Sequence, residues 1–110
     1  MEQLSFKVQG SEVDPYLVIF RHNEKVFNGT CTCKAGQIGQ VCKHRLRIME
    51  GSAEDIVSEN QHEVKIVVSW LPGTDVQTAM AEIQIAEKKL EKAKQELADS
   101  KKKLAKSLQG

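Results

Sequence analysis

Aromatic residues are scarce in this chain, with three Phe, one Tyr and one Trp among 110 residues, which excludes a large aromatic-rich core. No stretch approaches the roughly 18 consecutive apolar residues that a membrane span needs, and Met1-Glu2-Gln3 opens without the basic segment and apolar run of a secretory leader. The expectation is a soluble, cytoplasmic protein with no membrane attachment. The three cysteines are too few, and odd in number, for a disulfide framework, and intracellular Cys/His clusters more often bind metal. A formal charge of +1 excludes a strong field of one sign over the whole chain.

The residues that are present are unevenly placed. Residues 1–77 carry eight Lys/Arg against ten Asp/Glu, a net of −2, whereas residues 78–110 carry eight against five, a net of +3. Every Cys and every aromatic precedes residue 71, and the remainder of the chain is mostly Ala, Lys, Glu, Leu and Gln. The length fits one small domain with an appendage. We divide it into a metal-binding module at 1–51, a helical connector at 52–73 and a long helix at 74–110.

In the module, YLVIFR (16–21) and KVFNGTCTC (25–33) are rich in β-branched and aromatic residues, and HNE (22–24) between them supplies turn chemistry. This predicts a β-hairpin, with LSFKVQ (4–9) as a third strand and Asn28-Gly29 as a turn or bulge. VCKHRLRIMEG (41–51) predicts a short helix stopped by Gly51, with Cys42, Leu46 and Met49 on one face. Asn60 followed by Glu63 has the spacing of a capping box, and Val64, Val67, Val68 and Leu71 come after it at helical intervals, so 61–71 is read as a helix, with a strand as the alternative. Pro72-Gly73 ends it. Thr74 with Gln77 repeats the capping pattern, and nothing from there to Ser107 breaks a helix. The fold class is therefore α+β: a small zinc-stabilised hairpin or three-stranded sheet with a short helix, then a helix, then a long coiled-coil-like helix.

All three cysteines and one of the three histidines fall within CTCKAGQIGQVCKH (31–44). Side chains two apart in a strand share a face about 7 Å apart, so Cys31 and Cys33 suit joint ligation of one ion. Cys42 and His44 converge only where a loop enters a helix, which is where the predicted helix starts. The residues between, with Gly36 and Gly39, provide a flexible return. Three thiolates and an imidazole form a soft, closed donor set suited to one tetrahedral Zn²⁺ per chain and unsuited to Mg²⁺ or Ca²⁺. Two alternatives stand beside it: a chance cluster of buried side chains, and a reactive cysteine activated by His44. No orienting carboxylate or phosphate-loop signature accompanies the cluster, so no enzyme activity and no small-molecule substrate is expected. His22 and His62 are read as an exposed turn residue and a helix-start residue.

The pattern C-x-C-x8-C-x-H on a hairpin followed by a short helix resembles the SWIM zinc finger. The resemblance covers residues 4–51 and implies Cys31, Cys33, Cys42 and His44 as the zinc ligands of a module that binds DNA or other proteins. Lys34 stands where many SWIM sequences have proline.

Lys34, Lys43, Arg45 and Arg47 surround the cluster with no acid between residues 31 and 47. As a nucleic-acid surface, four phosphate contacts would give a log–log salt slope of about −3.6. The same charges also suit a plainer role, offsetting the negative charge of a zinc–thiolate centre. Few aromatics are present for base stacking, so a protein partner is the primary expectation and nucleic acid the alternative.

In the long helix, Val76, Ile83, Leu90, Leu97 and Leu104 recur every seven residues, and Ala79, Ala86, Ala93, Ser100 and Ser107 come three residues after each. This is a heptad with large a and small d residues. A parallel homodimer would set Glu82 against Glu87 and Lys89 against Lys94. An antiparallel pair in which facing core residues sum to 183 instead matches large with small in every layer, and sets Glu82 against Lys103, Lys89 against Glu96 and Glu87 against Lys94. The predicted partner is a second copy, antiparallel. A solvated helix supported by pairs such as Asp99 with Lys103 is the plainer alternative.

Overall fold

Alternating apolar residues in three segments near the N-terminus form an antiparallel sheet. The computed structural model describes residues 1–24 and 26–110; Lys25, where the second hairpin segment was expected to begin, lies outside the described residues. Strands β1 (Glu2–Val8), β2 (Tyr16–Asn23) and β3 (Val26–Cys31) lie in the order β1-β2-β3. The register sets Phe6 opposite Val18, Phe20 opposite Gly29, and Val18 opposite Cys31. One sheet face therefore collects Phe6, Val8, Val18, Phe20, Phe27 and Cys31, all buried. The Phe6 and Phe20 rings meet edge to face at 6.3 Å, and Phe20 stacks on Phe27 at 5.6 Å.

Two details of the hairpin differ from expectation. β2 continues through His22 to Asn23, which pairs with Val26, because His22 has a packing role: its ring lies against Trp70 at 5.2 Å between centroids. Asn28-Gly29 makes neither turn nor bulge, since both residues pair regularly with β2. Gly29 sits there because a Cβ would stand 2.7 Å from the Phe20 ring.

Four helices come after the sheet: α1 (Lys34–Gln37), α2 (Lys43–Met49), α3 (Val64–Trp70), preceded by a single 3₁₀ turn at Gln61–Glu63, and α4 (Asp75–Leu108). Gly51, at φ 96°, takes the left-handed position that ends α2. α2 buries His44 and Ile48, while Leu46 and Met49 are half-buried. α3 is helical despite its β-branched run because Val64, Val67 and Trp70 fall on one face, which is buried. The Asn60–Glu63 capping box does not form: the Asn60 side chain accepts from Ser58 Oγ (2.7 Å) and donates to the Ser5 carbonyl (2.8 Å). At α4 the expected cap does form, with the Gln77 N–H donating to Thr74 Oγ1 (3.2 Å), while Gln77 Oε1 accepts from the Gly73 N–H (3.1 Å).

Residues 55–60 cover the outer edge of β1. Gln9 N–H donates to the Asp55 carbonyl (2.8 Å), Val57 N–H to the Lys7 carbonyl (2.8 Å), and Lys7 N–H to Ser58 Oγ (3.1 Å). Val8 and Ile56 form a bridge and both are buried. The chain divides into two units, Met1–Gln77 and Thr78–Gly110, so residues 52–73 fall within the first unit. The second is the remainder of α4, which buries no residue over its length. No helix among the described residues is long and apolar enough to cross a membrane.

Candidate metal centre

β3 ends at Cys31, and the chain then turns into α1 with Cys33 as its N-cap, so these two cysteines are not consecutive same-face residues of one strand. The Cys33 sulfur accepts from the Gly36 N–H at 3.3 Å, which is why the segment forms a helical turn where a flexible return was expected. Gly36 is there for space: a Cβ would lie 2.3 Å from the Cys31 carbonyl oxygen. The second pair repeats the device. Cys42 caps α2 and its sulfur accepts from the Arg45 N–H at 3.5 Å, while His44 lies in the first turn. Each pair thus brings one cysteine to a helix N-terminus, where backbone N–H groups favour a thiolate.

The donor atoms of Cys31, Cys33, Cys42 and His44 all lie within 4.8 Å of one another. A tetrahedral ion with bonds of roughly 2.0–2.3 Å places its donors roughly 3.3–3.8 Å apart, so a small inward movement of side chains closes the cage. Cys31 Sγ and His44 Nδ1 already stand at 3.8 Å. The four residues are 4–8% exposed, which leaves no room in the cage for bulk solvent. This buried Cys₃His group could hold a metal ion, and its softness suits a thiophilic one.

The surroundings prepare the donors. The imidazole packs against Tyr16 at 4.8 Å, and its Nε2 edge lies over Gly10, where a Cβ would stand 2.3 Å from the Tyr16 ring and 3.1 Å from that nitrogen. Burial, with Lys43 and Arg47 nearby, lowers the His44 pKa and keeps the ring neutral, as a ligand must be. Burial also acts to raise the thiols of Cys31 and Cys42. At Cys31 it wins, and the pKa is pushed up to about 12. At Cys42 the Arg45 N–H and guanidinium outweigh it, and the pKa falls below the usual thiol value.

Arg45 is the residue whose place differs most from the sequence expectation. Its Nε donates to Cys42 Sγ (3.2 Å), Nη1 to the Gly29 carbonyl (3.1 Å) and Nη2 to the Gln40 carbonyl. One guanidinium thereby ties a ligand sulfur, the edge of β3 and the loop before α2. Arg47 pairs with Asp55. Of the four basic residues singled out, only Lys34 and Lys43 point fully to solvent, one at the start of α1 and one at the start of α2. Gly10, Tyr16 and Gly29 were missed because their roles come from residues distant in sequence. His62 is exposed and stands apart from the cage, as does His22.

The a residues Leu90, Leu97 and Leu104 of α4 are 56–60% exposed. Ala79, Ala86 and Ala93 are exposed as well, and Val76 and Ile83 are half-buried. The expected Asp99–Lys103 pair does not form; Asp99 instead accepts from Gln95 Nε2 at 3.0 Å. Among the described residues no α4 lysine lies within ion-pairing distance of a carboxylate.

Comparison of the chain with protein-family models, curated proteins and solved structures gives no match. The likeness to SWIM fingers therefore rests on the four ligand positions and their setting.

Proposed function

We propose that this is a non-enzymatic, zinc-stabilised interaction module that binds another protein and self-associates through α4. The observation that carries the proposal is the buried Cys₃His cage, with two of its sulfurs already accepting backbone N–H groups. Such a donor set takes zinc as a structural ion with no open coordination position. The CxC and CxH pairs, one leaving a strand and the other entering a helix, accord with a SWIM-type finger. Bound zinc contributes on the order of 10–16 kcal/mol of apparent free energy when the metal-free chain cannot preform the site. That matters for a domain this small, whose apolar core alone is marginal.

Nucleic-acid binding is the weaker proposal, because Arg45 and Arg47 are engaged inside the protein and a footprint resting on Lys34 and Lys43 gives a salt slope of only about −1.8. A native mass spectrum of protein purified without chelator tests the main proposal. One zinc per chain in a dimer is the expected result. A folded, metal-free monomer would overturn it and turn attention to thiol chemistry at Cys42.

A further inference from the structure

A shallow cleft of about 180 Å³ opens beside the metal loop. Phe20 and Phe27 form its floor, Val41, Met49 and Val76 line its sides, and Arg45 closes one end. It is smaller than the roughly 300–1,000 Å³ of small-molecule sites and matches a single branched apolar side chain. Val41, from the loop joining the two ligand pairs, is 68% exposed at its rim.

Val76 connects the cleft to the heptad, since it lines the cleft and is also the first a residue of α4. In the antiparallel register whose core pairs sum to 183, Val76 faces Ser107 of a second copy, a small residue that leaves the cleft uncovered. The next residue, Leu108, is 77% exposed and comes level with residue 75. The flanking charges favour the same partner: Glu82 meets Lys103, and these side chains are not engaged in ion pairs within their own chain.

We propose that a second copy of this chain covers the cleft, inserting its Leu108 beside Val76, so that the metal loop forms part of the dimer interface. The proposal rests on self-association through α4. It joins two properties that otherwise stand apart. One wall of the cleft, residues 39–41, hangs from Cys42 through the Arg45 bridge to the Gln40 carbonyl, so loss of the metal loosens that wall. Dimerisation then depends on the metal, and by reciprocity the dimer holds its metal more tightly than the monomer does.

Sedimentation equilibrium of the full zinc-loaded chain tests this, with Leu108→Ser, Val41→Glu and the double variant. Both sites are exposed, so zinc content and circular dichroism should match the unsubstituted protein. Each single change is expected to weaken the dimer by about tenfold, as removal of one buried leucine contact would. The double change should weaken it by little more than either alone, because both remove the same contact. Dimerisation unaffected by either change, but abolished by Leu90→Ser, would overturn the cleft proposal and leave self-association standing. A wild-type chain that stays monomeric at every concentration would overturn both.

Discussion

Between Met1 and Gln77 fourteen apolar side chains and His44 are buried; from Thr78 to Gly110, among the described residues, none is. The first unit is held by contacts between residues far apart in sequence, such as Val8 with Ile56 and His22 with Trp70. The second is held by i to i+4 backbone hydrogen bonds and by its capped start. The first unit therefore has a core that a metal completes. The second has a stripe of leucines whose burial needs another surface, since a lone helix gains little from tertiary packing.

Removing the metal is the sharpest way to separate the two. Chelation, or Cys42→Ser, is expected to remove most of the 10–16 kcal/mol or so that structural zinc supplies and to unfold the first unit. Trp70, the single tryptophan, reports this by fluorescence, while a large part of the helical circular dichroism from α4 should persist. Simultaneous loss of both signals would show that the units fold as one. Gly36→Ala comes next: its methyl would press on the Cys31 carbonyl, and overpacking of this kind costs about 1–3 kcal/mol. Zinc competition titrations should show the loss.

Arg45→Gln and Arg47→Gln form a graded pair. Residues that support metal ligands typically change affinity by about 10–100-fold, which is the expectation for Arg45, whose guanidinium reaches the Cys42 sulfur. Arg47 makes a half-exposed ion pair with Asp55, and its loss should cost under about 1 kcal/mol of stability and leave zinc affinity intact. Equal effects would contradict the distinct roles assigned to the two arginines.

The pH dependence should reverse with metal. Cys31, raised from 9.0 to about 12, stabilises the metal-free fold in its neutral form, so that contribution is present below pH 9 and lost as pH rises toward 12. Zinc must displace the same proton, so affinity should rise about tenfold per pH unit across the neutral range. His44, lowered from 6.5, opposes folding only on the acid side, where the unfolded chain takes up a proton first. Calorimetry in buffers of different ionisation enthalpy counts the protons released. The smallest effect is expected at Leu97→Ser, which should leave the melting of the first unit within about 0.5 kcal/mol of wild type.

The elements most legible in the sequence were those with local causes. α4 runs as its heptad and Thr74 cap require, Gly51 stops α2, and the two Cys/His pairs converge at a strand end and a helix start as their spacing demands. Where distant residues decide, local signals misled. Asn60 has the pattern of a cap, yet its amide goes to Ser5, 55 residues away. Arg45 looks like surface charge, and only the fold shows Gly29 and Cys42 within its reach. Gly10 bears no local mark of its closeness to His44; that contact exists because β1 and β2 bring the loop beneath the imidazole.

The segment 55–60 along β1 also bears on how the protein can be divided. A fragment cut after Gly51, at the end of the finger-like motif, would keep all four ligands but bare the hydrogen-bonding groups of Ser5, Lys7 and Gln9 along a strand. Bare strand edges recruit other strands, so such a fragment should aggregate even when loaded with zinc. The smallest piece that can be transplanted into another protein is the stretch to Gln77, with its own edge guard included.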